Sequence, residues 1–252
     1  MKLKNQSALV TGASRGIGRA IALRLAGEGA LIGVHYGSNA AAAEETVKTI
    51  EKSGGKAFAV KAELSSKAEI EGLFKQLDNE FSKRTGSPKF DILINNAGVA
   101  EQATIQETSE DLFDHIFDVN TKGLFFVTQY ALKRLKEGSR IINISTAGTR
   151  LLMPAFCAYT MSKCAIDGLA VMLAKQLGKQ KITVNTVAPG VTDTDMAANA
   201  LTKEGKQNFI QNTALGRIGT SEDIASVVAF LVSEEGGWIT GQYIEASGGI
   251  LL

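Results

Sequence analysis

The fold is decided by the stretch SALVTGASRGIG, which covers residues 7–18. Its first part, Ser7–Val10, has the apolar character of a short strand, and from Ile17 onward apolar residues recur at helical spacing until Gly27. The glycines between them predict a turn whose backbone amides, with the positive end of the helix dipole, suit an anion such as a pyrophosphate. The spacing T-G-x-x-x-G-x-G differs from the G-x-G-x-x-G fingerprint and from the G-x-x-x-x-G-K-[ST] phosphate loop. A turn that only packs a helix against a strand is the alternative interpretation.

Strands and helices alternate along the remainder of the chain. Further strands are predicted at residues 31–36, 56–60, 90–94, 139–145, 181–187 and 242–244. Helical patterns separate them, and the longest, at 111–135, contains Gly123, which predicts a local kink. Such alternation requires a parallel sheet with right-handed crossovers. The predicted fold is therefore α/β, a single Rossmann-type domain over residues 1–252. It has a doubly wound parallel sheet of about seven strands, helices on both faces and a substrate lid at 191–215.

Composition narrows the class of protein. The chain has 252 residues, is 44% hydrophobic and carries 27 basic against 26 acidic side chains, which gives a net charge of +1. This balance gives no global field toward nucleic acid or anionic lipid, so we expect neither a nucleic-acid nor a membrane partner. We see no secretory signal, and no apolar stretch approaches the ~20 residues of a membrane span. We therefore expect a soluble cytoplasmic protein that binds a small molecule or another protein.

The cysteines and histidines predict little reactive chemistry. Cys157 and Cys164 would lie ~10 Å apart along one helix, beyond disulfide reach, so we expect both to be reduced packing residues. His35 and His115 are far apart in the chain, and we predict no metal site.

The end of the second predicted strand bears on the choice of cofactor. In dinucleotide-binding folds a carboxylate near this position binds the ribose 2′-hydroxyl of NAD, whereas the 2′-phosphate of NADP requires its absence and a positive charge. Here Tyr36, Ser38 and Asn39 occupy the tip, and Arg15 in the glycine turn supplies a cation. The sequence therefore favours NADP(H) over NAD(H). The alternative is that Arg15 is a solvated surface residue.

The stretch Tyr159-Thr160-Met161-Ser162-Lys163 predicts proton-transfer chemistry. Its phenol and ammonium are four residues apart on a predicted helix, so their side chains lie on one face, with Cβ atoms about 5–6 Å apart. A free tyrosine titrates near ~10, and a cation beside it favours the phenolate, which predicts a lowered pKa for Tyr159. A pair with this spacing also arises often by chance on helix surfaces, which is the alternative.

Polar residues and glycines follow several other predicted strands. Asn95–Gly98, Ser145 with Thr146, and Pro189–Gly190 each stand at a strand end, where ligands bind in parallel sheets. Asn120 lies within a predicted helix, although asparagine is unfavourable there. Each of these positions has an ordinary structural explanation, such as a turn. Taken together in one fold, they predict one site.

This set of motifs, in this order, resembles the classical short-chain dehydrogenases/reductases over essentially the whole chain. Within that family the chain is most similar to the 3-oxoacyl-carrier-protein reductases. The family places a serine thirteen residues before its tyrosine, and that position here is Thr146, with Ser145 one residue earlier. A threonine hydroxyl has the same donor and acceptor capacity. We therefore favour Thr146 as the group that orients a carbonyl, and Ser145 stays a candidate.

The resemblance implies a role for each motif. Tyr159 would give its proton to a carbonyl oxygen as hydride arrives from the nicotinamide, and Lys163 would hold the nicotinamide ribose and lower the tyrosine pKa. Asn120 would keep a water for a proton relay. The candidate catalytic residues are Asn120, Ser145, Thr146, Tyr159 and Lys163. The candidate cofactor-binding residues are Gly12, Ser14, Arg15, Gly16, Ile17, Gly18, Tyr36, Ser38, Asn39, Glu63, Leu64, Asn96, Ala97, Gly98, Tyr159, Lys163, Pro189, Gly190, Val191 and Thr192.

The predicted function is NADPH-dependent reduction of a carbonyl to a secondary alcohol, with a 3-oxoacyl thioester as the substrate. Apolar residues near the site, Leu151, Leu152, Met153, Phe156 and Met196, suit an aliphatic or acyl group. One alternative is an alcohol, sugar or steroid dehydrogenase that uses the same chemistry in reverse. Another is a dinucleotide-sensing regulator without catalysis, which has no need of a proton relay. By similarity to the family we expect a homotetramer or a dimer.

Overall fold

The computed structural model describes residues 1–200 and 202–252. Its strands are β1 (Ser7–Val10), β2 (Leu31–Tyr36), β3 (Lys56–Lys61), β4 (Phe90–Asn95), β5 (Leu135–Ile144), β6 (Thr183–Pro189) and β7 (Tyr243–Ala246). They form one sheet in the order β3-β2-β1-β4-β5-β6-β7, and each neighbouring pair is parallel. The prediction of a doubly wound parallel sheet of about seven strands is confirmed.

Helices cover both faces of this sheet. They are α1 (Gly16–Gly27), α2 (Ala40–Lys52), α3 (Lys67–Thr85), α4 (Glu110–Phe117), α5 (Leu124–Ala131), α6 (Gly148–Leu151), α7 (Cys157–Leu177), α8 (Asp195–Ala200), α9 (Lys203–Gln211) and α10 (Ser221–Val232). Successive residues of β1 point to opposite faces: Ala8 and Val10 join the core with α1, α2 and α10, and Leu9 joins the core with α3, α5 and α7. The sheet is thus buried on both sides, which explains its continuously apolar strands.

The strand order reverses between β1 and β4. From β1 the chain builds outward through β2 and β3, and it then returns to build β4 to β7 on the other side. The helices that follow β1 and β4 therefore diverge and leave a crevice at the carboxyl ends of these strands. The backbone N–H of Thr11 donates to the Ile94 carbonyl at 3.0 Å and fixes the two strand ends beside each other.

The long helix predicted at 111–135 is interrupted. The structure has α4, then a π-helical turn at Asp118–Gly123, then α5, which ends at Ala131. The irregularity near Gly123 is this π-helical turn, and a Cβ on Gly123 would lie only 2.6 Å from the Leu64 carbonyl oxygen. Leu135 pairs with Phe90 and opens β5, so the predicted end of the helix is wrong. Strand pairing, which is a tertiary contact, overrides the helical pattern there.

Helix α7 is apolar enough to test the expectation about membrane spans. By length and composition alone, residues Cys157–Gln180 would suit a membrane span, because an 18-residue window within them has a mean hydropathy of 1.2. The expectation that no apolar stretch approaches the length of a membrane span is therefore wrong. In the fold, 44% of an 18-residue window of this helix is buried, and its inward residues Ile166, Ala170 and Leu173 are buried apolar side chains. A core helix of a globular domain has these same properties.

Candidate active site

A cleft of about 630 Å³ opens at the carboxyl ends of the strands, where the strand order reverses. Its lining includes all the predicted cofactor-binding residues except Tyr36 and all the predicted catalytic residues except Asn120. The predicted residues in the lining are Gly12, Ser14, Arg15, Gly16, Ile17, Gly18, Ser38, Asn39, Glu63, Leu64, Asn96, Ala97, Gly98, Ser145, Thr146, Tyr159, Lys163, Pro189, Gly190, Val191 and Thr192. Motifs far apart in the chain therefore meet at one edge of the sheet.

The glycine turn lets a ligand approach the backbone closely. Gly12 has φ +62°, and a Cβ there would lie 2.9 Å from the Ala97 Cα. A Cβ on Gly18 would overlap the Gly12 carbonyl oxygen. Helix α1 begins at Gly16, and among the described residues no side chain caps it and no acidic residue lies in its first turn. Its first amides are therefore available to an anion, which fits the pyrophosphate of a dinucleotide.

At the end of β2, the predicted contact of Tyr36 with the cofactor is wrong, and His35 lies in the cleft in its place. Tyr36 packs against the core beside α1 and α2 and lies outside the cleft lining, because side chains alternate along a strand. Its neighbour His35 lines the cleft instead. The His35 Nδ1 accepts from the Gly12 N–H at 3.1 Å, and its Nε2 donates to the Ala62 carbonyl at 3.0 Å. Burial lowers the pKa of His35 to about 4, so a neutral imidazole fastens the glycine turn to the end of β3.

Arg15 lies at the mouth of the cleft. Its side chain is 70% exposed, and its guanidinium lies 3.6 Å from the Asp195 carboxylate at the start of α8. The neighbouring Ser38 also lines the cleft, while Asn39 adds a helix cap by accepting from the Ala42 N–H at 3.0 Å. A long, exposed cation beside hydroxyl and amide groups, at the end of a strand without a carboxylate, fits a 2′-phosphate.

The two asparagines at the end of β4 have different surroundings. Asn95 is buried, and its amide donates to Thr128 and to Asn143 under the sheet. Asn96 lines the cleft and donates to the carbonyl oxygens of Thr11 at 2.9 Å and Gly12 at 3.1 Å. Asn96 therefore supports the glycine turn from below. The ribose contacts that the resemblance assigns to Asn96 and Gly98 stay predictions.

Asn120 stands in the π-helical turn directly behind the cleft wall. It is fully buried, its Oδ1 accepts from the Val99 N–H at 2.8 Å, and its Nδ2 donates to the Val99 carbonyl at 2.9 Å and to the Ser162 Oγ at 3.0 Å. Ser162 in turn donates to the Tyr159 carbonyl at 2.7 Å. The side chain of Asn120 thus ties α7 to the segment after β4. Its predicted role in a water relay stays a prediction, and both of its side-chain hydrogens already have acceptors.

Tyr159 and Lys163 share one face of α7, as their spacing predicts. Both line the cleft, and the Lys163 Nζ lies 5.9 Å from the centre of the Tyr159 ring. Lys163 is buried and donates to the Ile144 carbonyl at 2.9 Å. A Cβ on Gly98 would lie 3.3 Å from this ammonium, so the glycine leaves room for the lysine chain. A phenol and a cation are therefore held together at the centre of the cleft.

Burial dominates the ionisation of both groups. It raises the pKa of Tyr159 to about 12, although a hydrogen bond with the Thr146 hydroxyl opposes the shift. It lowers the pKa of Lys163 to about 8, although the Asp167 carboxylate favours the charged ammonium. The expectation of a lowered pKa for Tyr159 is wrong for this structure, because the lost solvation of the buried phenolate is the largest contribution to its pKa. A phenol with a pKa of about 12 is protonated at neutral pH, as a proton donor must be.

The structure separates the roles of Thr146 and Ser145. The Thr146 hydroxyl forms a hydrogen bond with Tyr159 and accepts from the Gly148 N–H at 3.1 Å, so it is held beside the phenol in the cleft. Ser145 contributes to the lining, but its hydroxyl is buried and turned toward the Asp167 carboxyl. The geometry agrees with the choice of Thr146 as the group that orients a carbonyl.

Beyond Tyr159 the cleft is apolar. Six side chains from four segments form this substrate end: Leu151, Met153, Phe156, Met196, Phe209 and Ile250. Leu152, which was predicted to flank the site, is 65% exposed and lies outside the lining, because it ends α6 in a left-handed conformation with φ +51°. An apolar wall of this kind binds an apolar ligand through burial of its surface.

The predicted lid at 191–215 contains two short helices, α8 and α9. Met196 of α8 and Phe209 of α9 reach the cleft, so the segment covers the substrate end. Leu201 lies outside the described residues. Lid movement stays a prediction.

Sequence reasoning missed several cleft residues. His35, His115, Phe209 and Ile250 line the cleft but belong to no recognised motif. Only His35 gave a signal, as a polar residue within an apolar strand.

Both cysteines are free thiols, and Cys164 is exposed, so its expected packing role is wrong.

Comparisons with known proteins place the chain among reductases. A family model described as "Enoyl-(Acyl carrier protein) reductase" matches residues 12–250. The chain is 40% identical to an NADPH-dependent aldehyde reductase of Arabidopsis thaliana over 99% of this chain and 95% of that protein. It is 36% identical to a 3-oxoacyl-[acyl-carrier-protein] reductase of Staphylococcus aureus, over 98% of each chain.

A solved structure shares the whole architecture. The crystal structure of an angucycline C-6 ketoreductase with bound NADP is 46% identical and superposes with a TM-score of 0.95, over 99% of this chain and 97% of that one. A second structure of that ketoreductase contains both NADP and rabelomycin, at 45% identity, over 99% and 98% of the two chains, with a TM-score of 0.92.

Proposed function

The chain belongs to the classical short-chain dehydrogenase/reductase family, and on that premise we propose that it catalyses NADPH-dependent reduction of an apolar ketone to a secondary alcohol. The observation that carries this proposal is the meeting of Tyr159, Lys163 and Thr146 in one cleft, between an anion-binding glycine turn and an apolar wall. A proton donor, a cation and a carbonyl-orienting hydroxyl are the groups that carbonyl reduction requires.

The residues of this chain account for the proton and for the orientation of the substrate. NADPH, when bound, supplies the hydride, and the overall reaction consumes one proton from solvent. Thr146 donates a hydrogen bond to the carbonyl oxygen. Tyr159 gives its phenolic proton to the same oxygen as charge develops there, because an alkoxide is more basic than a phenolate. Lys163 stabilises the phenolate that remains until it is reprotonated.

The preference for NADP(H) rests on the end of β2 and on Arg15. Residues 36–39 at the strand tip include no acidic residue, although the Glu63 carboxylate lies beside Gly37. Arg15 extends beside the tip, and of the relatives named above the aldehyde reductase is described as NADPH-dependent and the ketoreductase has NADP bound. We expect Arg15→Ala to weaken NADPH about tenfold and NADH much less, since a charge-assisted contact to phosphate is lost. Equal loss for both cofactors would refute the assignment.

The substrate end favours a bulky apolar ketone. Its walls carry two phenylalanines and two methionines, which suit flat or flexible apolar surfaces. We infer that the substrate is a polycyclic aromatic ketone, because the ketoreductase at 46% identity is described for an angucycline. A 3-oxoacyl thioester is the second candidate, supported by the 36% identical 3-oxoacyl reductase.

The test is a screen of NADPH oxidation. Purified protein would be given a polycyclic aromatic ketone, a 3-oxoacyl thioester, a simple aldehyde and, as a control, an enoyl thioester, in which hydride adds to the carbon of a double bond and not to a carbonyl carbon. We expect the highest kcat/KM for the polycyclic ketone. A higher value for the 3-oxoacyl thioester would select the second candidate, and no turnover of any carbonyl compound would refute the function.

The oligomeric state of the protein is also a proposal. We propose a homotetramer, because exposed apolar side chains Phe113, Phe125, Met161 and Met172 of α4, α5 and α7 would be covered by a second copy. Light scattering after size-exclusion chromatography tests this oligomeric state.

We also propose a cytoplasmic location, which fractionation of the source cells tests.

A further inference from the structure

The short helix α6 connects the proton-transfer site with the substrate end. Thr146 stands just before it, and its last residue, Leu151, belongs to the apolar wall. A helix of four residues has a single turn and is unstable by itself. Its position, and with it the position of Thr146 and Leu151, therefore depends on tertiary contacts.

Arg150 makes four hydrogen bonds from α6 to β7 and to the C-terminal segment. Its guanidinium binds both carboxylate oxygens of Glu245 on β7, at 2.7 and 2.8 Å. The same group donates to the carbonyl oxygens of Ile250 at 2.7 Å and Leu251 at 3.2 Å. The Glu245 carboxylate also accepts from Ser247 at 2.6 Å. A planar guanidinium with several donors holds such a set of acceptors in one geometry, which a lysine ammonium does not do.

The segment that Arg150 grips is itself joined to the lid. The Ala214 N–H donates to the Gly249 carbonyl at 3.1 Å, and the Leu215 N–H donates to the Gly248 carbonyl, also at 3.1 Å. In the other direction, the Leu251 N–H donates to the Asn212 carbonyl at 2.8 Å. Residues 212–215 directly follow α9. The segment 248–251 therefore packs against the end of the lid, and its position depends on the position of the lid.

Both sides of this assembly line the cleft. Ile250 is 1% exposed and lines the cleft, as do Phe209 of α9 and Leu151 of α6. Arg150 thus joins two walls of the substrate end that are about one hundred residues apart in sequence. It touches neither the glycine turn nor the end of β2.

We propose that Arg150 is a positioning residue that fixes the width of the substrate end by tying α6 to the lid through Glu245 and segment 248–251. The inference rests on the proposed reduction of an apolar ketone, since it concerns the wall that would bind that ketone. Without Arg150 the two walls separate and the ketone loses apolar contact, whereas the cofactor-binding half is unchanged.

A second tether leaves Thr146 in place when Arg150 is removed. The Tyr243 hydroxyl donates to the Thr146 carbonyl at 3.1 Å and lies 3.0 Å from the Thr149 Oγ1. Loss of Arg150 should therefore affect the binding of the ketone more than the chemical step. Loss of the Tyr243 hydroxyl should do the reverse.

The experiment compares Arg150→Met with Arg134→Met, a matched control. Arg134 also makes a two-pronged pair, with Asp78 at 2.5 and 2.6 Å, but it is no part of the cleft lining. We expect Arg150→Met to raise the ketone KM about tenfold, with kcat changed less and the NADPH dissociation constant within about twofold. Arg134→Met should change neither the ketone KM nor the NADPH dissociation constant. Tyr243→Phe should lower kcat more than it raises KM.

Hydrogen exchange gives a readout that needs no substrate. In Arg150→Met, but not in Arg134→Met, the amides of Ala214, Leu215 and Leu251 should exchange faster, because the segment loses its anchor. If the wild-type protein reduces no ketone, the proposed function fails, and exchange at these amides still decides the tether. Should Arg150→Met not fold, Arg150→Lys is measured in the same way.

Three results would overturn the proposal. One is an unchanged ketone KM in folded Arg150→Met or Arg150→Lys, and another is unchanged exchange at these amides. The third is an equal rise of KM in Arg134→Met, which would show a general effect of lost stability.

Discussion

The cofactor half and the substrate half of the cleft are built in different ways. The cofactor half consists of strand ends and glycines whose geometry is dictated locally: Gly12 adopts φ +62°, and Gly18 has no room for a Cβ. The substrate half consists of short helices and a loop, and contacts such as that of Arg150 with Glu245 hold them together. A site of the first kind accepts one ligand shape, whereas a site of the second kind can change its substrate by changing a few side chains.

Tyr159 stands where the two halves meet, and its loss should have the largest effect. We expect Tyr159→Phe to lower kcat about a thousandfold, because the proton donor is removed, while the NADPH dissociation constant stays within about twofold. Stopped-flow turnover and fluorescence titration of NADPH measure the two quantities. Full activity in this variant would eliminate the mechanism.

Thr146 should be the most sensitive position of the substrate half. We expect Thr146→Ala to lower kcat about a hundredfold, since a hydrogen-bond donor to the developing negative charge is lost. Ser145→Ala is the control, and because its hydroxyl faces Asp167, we expect it to change kcat less than about threefold. If Ser145→Ala alone abolishes turnover, our assignment of the carbonyl-orienting group is wrong.

A change at Gly18 should affect the cofactor half of the cleft more than the substrate half. A Cβ there would overlap the Gly12 carbonyl oxygen, so Gly18→Ala should distort the turn and weaken NADPH about tenfold, with less effect on the ketone KM. Gly27→Ala, at the other end of α1, meets nothing within 4 Å and is the control. Calorimetric titration with NADPH compares them. Equal affinities would contradict the close-packed turn.

Asp167 lies near Lys163 and Ser145, and its replacement should have the smallest effect on turnover. Its carboxylate raises the pKa of Lys163, which burial lowers to about 8. If turnover needs the charged lysine, kcat/KM falls as pH rises through this pKa. Asp167→Asn should move that fall to lower pH by less than about one unit, because the neutral amide no longer favours the ammonium.

The pH profile of kcat/KM measures this shift. Glu71→Gln, which removes the partner of the exposed Lys75 on α3, should leave the profile unchanged. A shift to higher pH in Asp167→Asn would contradict the assigned role of the carboxylate.

Much of the cofactor half could be predicted because its motifs encode local geometry. A glycine turn between a strand and a helix, a strand tip without a carboxylate and a Tyr-x-x-x-Lys spacing each act within a few residues. Tyr36 was misassigned because its side chain points away from the cleft, and only the alternation fixed by the neighbouring strands decides this. The pKa of Tyr159 was misjudged because burial depends on the packed fold.

Local patterns in the amino-acid sequence were enough to predict the parallel sheet, the glycine turn and the pairing of Tyr159 with Lys163, because periodicity and short spacings control hydrogen bonding and side-chain direction over a few residues. The residues of the apolar wall, such as Phe209 and Ile250, and the contacts by which Arg150 holds it became visible in the folded chain alone. These contacts join positions far apart in the chain, and their free energy comes from packing and desolvation that no local pattern records.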